Sequence, residues 1–152
     1  LIDKNIKNTF MCIGGMGHSI SISSGIALVK KNKKIFCLDG DGSFLMHLGA
    51  SASSAKIKNL VHIVFNNKSH DSVGGHETSA PNLNLRKIAK ELGYSQSFTA
   101  KDDNEIKRNV IKSIKSKKSF FLEIRCKRGN RSNLSRPKGK IVEYKKKFKS
   151  IF

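Results

Sequence analysis

Three clusters in this 152-residue chain carry residue types suited to holding phosphate and metal. Gly40-Asp41-Gly42-Ser43 follows the apolar run 35–38 and opens a helical pattern. Gly40 and Gly42 let the backbone turn tightly and let a phosphate come close. The free N–H groups of a starting helix face that phosphate, and the helix dipole favours it. Asp41 adds a hard carboxylate oxygen at the same point. Asn66-Asn67 closes the apolar run 60–65, and 23 residues (43 to 65) separate it from Gly42. That length holds one helix and one returning parallel strand, which brings Asn67 to the sheet edge that carries Asp41. A carboxylate, an amide oxygen and a backbone carbonyl suit Mg²⁺, which takes oxygen ligands octahedrally and retains phosphate and water. A plain Asp-Gly turn or Asn-Asn turn explains either cluster singly, since Asn tolerates the left-handed region. The spacing favours a joint metal–diphosphate site. The third cluster, Gly14-Gly15-Met16-Gly17, ends the apolar run 10–13.

The elements that must position these clusters alternate. Short strands are expected at 10–13, 35–38, 60–65, 94–99 and 120–126. Helices are expected at 18–30 (Ile22, Ile26, Val29), 43–55 (Phe44, Leu45, Leu48, Ala52), 85–92 (Leu85, Ile88, Ala89, Leu92) and around Ile106, Val110, Ile111 and Ile114. Gly93 is placed as a C′ glycine, and Asp102 and Asp103 sit at a helix's positive end. Such alternation predicts an α/β fold of three layers, a mostly parallel sheet flanked by helices, with right-handed crossovers. Ligands of these sheets bind outside the carboxyl ends of the strands. All three clusters lie there, which argues for one site. Residues 68–83 form a long loop, a length that is often functional.

The pattern Gly-Asp-Gly, some two dozen residues, then Asn-Asn resembles the fingerprint of the thiamine-diphosphate-dependent decarboxylase and transketolase superfamily. The resemblance implies Mg²⁺ bound by Asp41, Asn67 and the carbonyl of Ser69, with Gly42 and Ser43 on the diphosphate of thiamine diphosphate. It implies that the Gly14 carbonyl accepts from the aminopyrimidine and that Met16 holds the cofactor bent. The segments GGMGHSISISSGIAL, CLDGDGSFLMHLGA, NLVHIVFNN and HDSVGG (70–75) are similar to the phosphonopyruvate decarboxylase family. So is 125–137, with Arg125, Gly129, Arg131, Leu134, Arg136 and Pro137. The likeness runs over about residues 10 to 148. Gly15, where the family more often has Ser, and Lys68-Ser69, in place of small residues, depart from it.

By that resemblance the chain is a single diphosphate- and Mg²⁺-binding domain over 1–152, ending in a basic tail, 127–152. It is expected to lack its first strand and the N-terminal pyrimidine-binding domain, which carries the family's catalytic glutamate. Leu1 at the first position makes a fragment the favoured expectation, a separate subunit the other. The implied activity is a carboxy-lyase's: 3-phosphonopyruvate to phosphonoacetaldehyde and CO2, inactive without the pyrimidine-binding partner. Sulfopyruvate or another 2-oxoacid is the alternative substrate. The implied assembly is a homo- or hetero-oligomer acting on a small anionic 2-oxoacid.

Several residues have two readings. His18 either faces the substrate or caps a helix. His70 either donates to a phosphonate or carboxylate oxygen or packs the loop. His47 and His62 read as packed or surface residues inside elements, and His76 and Glu77 as exposed. Arg125, Arg128 and Arg131 read as exposed tail charge or as anion contacts. The net charge of +19 is spread over 30–34, 112–118 and 145–149 with no aromatic interleaving. Compositional drift is the favoured reading of the charge, attraction of a small anionic substrate the next, and a basic nucleic-acid-binding module the weakest. No apolar run reaches bilayer length, and no signal-peptide pattern opens the chain. Cys12, Cys37 and Cys126 form no CxxC pair and no zinc-spaced cluster. They read as free thiols in a reducing cytoplasm.

Overall fold

The computed structural model describes residues 8–129, 134 and 140–150. Arg131, Arg136 and Pro137 lie outside the described residues. The elements run α1 (Ser19–Val29), β1 (Ile35–Gly40), α2 (Asp41–Met46), α3 (Leu48–Ser54), β2 (Leu60–Asn66), α4 (Leu85–Glu91), β3 (Gln96–Ala100), α5 (Asp103–Lys115), β4 (Phe120–Arg125) and α6 (Ile141–Lys149). Four strands form one parallel sheet in the order β1-β2-β4-β3. The expected three-layer α/β architecture is present.

β2 and β4 occupy the centre, and their sequences show why. Val61, Ile63, Phe120, Leu122 and Ile124 turn to one face, where Ile106 and Val110 of α5 cover them. Leu60, Val64 and Phe121 turn to the other, under Ile20 and Ala27 of α1, Phe44 of α2 and Leu85 and Ala89 of α4. Strands buried on both faces read as near-continuous apolar runs, as these do. β1 is an edge strand, and α5 does not extend over its face: Phe36 is 39% exposed and Leu38 61%.

Local rules set the helix ends. Asp102 Oδ1 accepts from the Glu105 N–H at 2.9 Å, and Glu105 Oε2 accepts from the Lys101 N–H at 2.8 Å. Asp103 and Glu105 occupy the first turn of α5 and Lys112 and Lys115 its last, matching the helix dipole. α4 ends as expected at Gly93, where φ is +102°. The Gly93 N–H donates to Lys90 O and the Tyr94 N–H to Ala89 O, the paired bonds of a Schellman cap. This cap delivers Tyr94 into the core, where its hydroxyl meets His62 Nδ1 at 3.0 Å. Burial, the largest influence, pushes the Tyr94 hydroxyl above its ordinary range, so it stays protonated there. Gly93→Ala should cost about 1 kcal/mol, the penalty of a Cβ in the left-handed region. Chemical denaturation would read it as a lower midpoint with an unchanged slope.

Two expectations need correcting. Residues 10–13 form no strand: a groove of about 800 Å³, lined by Phe10, Cys12, Ile35 and Phe36, separates them from β1, and Phe10 packs edge-on against Phe148 of α6. An apolar run without a neighbouring ladder has nothing to satisfy its backbone as a strand. The helix expected over 43–55 is two helices broken at His47, whose φ of −127° and ψ of 54° leave the helical region. Within the basic tail, Ile141–Lys149 forms α6.

Candidate functional site

The turn from β1 into α2 places Asp41 beneath the carboxyl end of the sheet. Its carboxylate is 1% exposed, and Oδ2 accepts from the Thr78 hydroxyl at 2.5 Å. Thr78 belongs to the long loop and was not singled out from the sequence. A lone Thr ten residues past a motif carries no spacing signal. A neutral hydroxyl donor is little compensation for a buried carboxylate, and such a group calls for a cation.

The end of β2 is fixed from below. Asn66 Nδ2 donates to Glu123 Oε1 at 2.8 Å, and Thr99 donates to Glu123 Oε2 at 2.9 Å. Glu123 is 2% exposed, so this polar ladder across β2, β4 and β3 is interior. Asn67 follows directly. Its Oδ1 accepts from the Ser69 N–H at 3.1 Å, and its Nδ2 donates to Asp71 Oδ2 at 2.7 Å. Lys68 between them takes φ of +60°, which turns the chain sharply. Backbone bonds from Thr78 to Lys68 and from His70 to His76 flank Ser69, which leaves its carbonyl outside that ladder.

Asp71 ties the loop to the segment after β4. The Ser69 hydroxyl first, then the Gly129 N–H and Asn67, hold its carboxyl below the usual carboxylate range. Arg128 adds a second tie, to Lys68 O at 3.1 Å and to Glu77. A group with a depressed folded pKa contributes stability above its unfolded value and loses it as pH falls. The loop should therefore loosen as pH drops below about 3.9, the unfolded aspartate value. Faster hydrogen exchange over 68–78, with the sheet still protected, would register it.

Asp41, Asn67, Ser69, Gly40, Gly42, Ser43, Met16 and His70 line one cleft of about 360 Å³, with Cys126 and Lys127 on its far side. The Gly17 N–H donates to Ser43 Oγ at 2.8 Å, which holds the glycine loop against α2. Gly17 has φ of +85°, and a Cβ there would strike the His47 ring. A Cβ on Gly42 would fall 2.6 Å from His70 Nδ1, so only glycine lets the His70 ring lie over this turn. Gly14 and Gly15 lie in the loop but outside the cleft lining, and so does His18. The His18 ring packs 4.5 Å from that of His47, and its Nδ1 meets Met16 O at 3.2 Å. His62 is fully buried, while His47, His76 and Glu77 are exposed.

A fold-end cleft joining a buried aspartate, an asparagine and a glycine turn is what one family of domains uses to hold a diphosphate. The family model for the thiamine pyrophosphate enzyme, C-terminal TPP binding domain, matches residues 4–124. The chain belongs to this family. It is 28% identical over 144 residues to the phosphonopyruvate decarboxylase of Streptomyces viridochromogenes, covering 93% of this chain and 36% of that protein. It is 30% identical over 118 residues to sulfopyruvate decarboxylase subunit beta of Methanocaldococcus jannaschii, covering 76% of this chain and 62% of that one. The fold is shared with benzoylformate decarboxylase of Polynucleobacter necessarius (TM-score 0.66, 19% identity), over 76% of this chain and 24% of that one. The chain spans about a third of the length of the phosphonopyruvate decarboxylases it matches. Among the described residues, no helix is long and apolar enough to cross a membrane.

Proposed function

We propose that this chain is the diphosphate- and Mg²⁺-binding half of a decarboxylase that converts 3-phosphonopyruvate to phosphonoacetaldehyde and CO2. The observation that carries the reading is the buried Asp41 carboxylate, which accepts from the Thr78 hydroxyl and opens onto the cleft of Asn67 and Ser69. The donor set fits Mg²⁺: the Asp41 carboxylate, the Asn67 amide oxygen and the Ser69 carbonyl would hold the ion. The Gly42 N–H and the Ser43 hydroxyl would face the diphosphate, and Met16 would support the cofactor from the glycine loop. Thiamine diphosphate, when bound, supplies the electron sink for loss of CO2. His70, over Gly42 at the cleft wall, would donate to an anionic oxygen of the substrate. His18, turned toward His47, would act on the substrate only after a change of rotamer.

The remaining part of the active site would come from a pyrimidine-binding domain or subunit in a homo- or hetero-oligomer. Phosphonopyruvate is favoured over sulfopyruvate because that match extends over 93% of the chain. The sulfopyruvate reading draws on higher identity, 36%, over a shorter stretch of 94 residues. Three unbridged cysteines fit a reducing cytoplasm.

The test is CO2 release from phosphonopyruvate, with sulfopyruvate and pyruvate as controls. The chain is supplied with the pyrimidine-binding polypeptide that its neighbouring DNA encodes, with and without Mg²⁺ and thiamine diphosphate. Release should need both polypeptides and both cofactors, and should prefer phosphonopyruvate. Preference for sulfopyruvate would transfer the assignment to that substrate. Turnover by this chain alone would contradict the division of labour.

A further inference from the structure

A second cluster lies in the sheet itself, outside the diphosphate cleft. Cys37 of β1 and His62 of β2 are direct cross-strand partners, and Asp39 lies two residues along β1 on the same face. All three are buried, at 1%, 0% and 7% exposure. One ligand atom from each, Sγ, a ring nitrogen and a carboxylate oxygen, can be chosen so that all lie within 4.8 Å of one another. His62 Nε2 and Asp39 Oδ2 lie at ion-pair distance, 3.5 Å, and neither has a hydrogen-bond partner among the described residues. Two buried polar atoms without a hydrogen bond are costly unless something joins them.

We propose that Cys37, Asp39 and His62 bind a thiophilic divalent cation, zinc, between β1 and β2. Tetrahedral zinc with nitrogen and oxygen ligands at about 2.0–2.2 Å sets them about 3.4 Å apart, close to the observed separation. The sulfur lies within 4.8 Å of both, so it would need to close by roughly 1 Å at most to reach zinc–thiolate geometry. The Tyr94 hydroxyl on His62 Nδ1 is the outer partner that a metal-binding histidine requires to fix its ring. Thiolate and imidazole select zinc, whereas the all-oxygen set at Asp41 and Asn67 selects magnesium, so the two sites do not compete. Three protein ligands leave one position for water. The ion would pin the edge strand to its neighbour two residues before Asp41. The competing occupant is a proton, which would make His62 and Asp39 an ion pair.

Cobalt(II) substitution distinguishes the two. The wild-type chain should bind one equivalent and show a thiolate-to-cobalt charge-transfer band with the intense visible bands of a tetrahedral ion. Cys37→Ala should remove the charge-transfer band and His62→Gln should weaken binding at least ~10-fold. Cys12→Ser, Cys126→Ser and excess Mg²⁺ should leave the spectrum unchanged. Saturating zinc should raise Tm by on the order of 5 °C. Should Cys37→Ala fail to fold, alkylation of Cys37 in the wild-type chain replaces it, and zinc should slow labelling at least ~10-fold. No stoichiometric binding, a charge-transfer band that survives Cys37→Ala, or equal labelling with and without zinc would leave the proton as occupant and overturn the proposal.

Discussion

Asp41→Asn should weaken Mg²⁺-dependent binding of thiamine diphosphate at least ~100-fold while leaving the ligand-free fold as stable or more so. The first half follows from removing the only side-chain carboxylate among the proposed ligands. A hundredfold loss is about 2.8 kcal/mol at ~1.4 kcal/mol per decade, modest for a hard-cation ligand. The second half follows from burial. Without a cation the carboxylate is 1% exposed with the Thr78 hydroxyl as its donor, and asparagine can accept that bond without carrying charge. Calorimetry of cofactor binding, with melts in the presence and absence of Mg²⁺ and cofactor, separates the effects. The ligand-induced rise in Tm should vanish while the ligand-free Tm holds or increases. A variant that keeps its Mg²⁺ response would remove Asp41 from the metal site.

Glu123→Ala should destabilise the fold by about 3 kcal/mol and loosen the metal loop as well. Truncation leaves the Asn66 amide and the Thr99 hydroxyl buried without an acceptor, at about 1–3 kcal/mol for each unsatisfied group. Asn66 directly precedes Asn67, so the loss should reach cofactor affinity beyond what global stability explains. Glu123→Gln keeps one acceptor oxygen, and the Thr99 hydroxyl can rotate to accept from the new amide. Its cost should fall to about 1 kcal/mol. Equal losses for the two variants in denaturant melts would show that neither the bulk nor the single acceptor oxygen that glutamine retains can replace the carboxylate, and would overturn the rotation of Thr99.

The cleft was legible because its parts are motifs with backbone reasons. Glycines at Gly17 and Gly42 leave room for the His47 and His70 rings, and Asn67 ends a strand as the spacing requires. What escaped the sequence are side chains whose role depends on register. Thr78 reaches Asp41 across 37 positions, and Glu123 reaches Asn66 across 57. A buried Glu inside the run FFLEIR shows no period that marks it as a strut. Cys37, Asp39 and His62 likewise have no metal-ligand spacing, because two parallel strands bring them together. The break at His47 was hidden because Phe44, Leu45, Leu48 and Ala52 keep helical spacing on both sides of it. The run 10–13 misled in the opposite direction: strand-like composition without a strand beside it.

The central position of β4 has a consequence for how the protein is made. β2 leaves the ribosome early, yet its partner on one side is the last strand of the sheet, paired through Val61↔Phe120 to Asn66↔Arg125. Asn67 leans on Asp71, and Asp71 leans on the backbone of Gly129. During synthesis the half-built sheet carries a raw β2 edge until residues 120–125 emerge, and the 67–71 loop lacks its tie from Asp71 until Gly129 emerges. On the proposed assignment of Asn67 as a metal ligand, cofactor capture would wait for Gly129, and a nascent chain stalled before that point would expose a sticky strand with its proposed metal site unset.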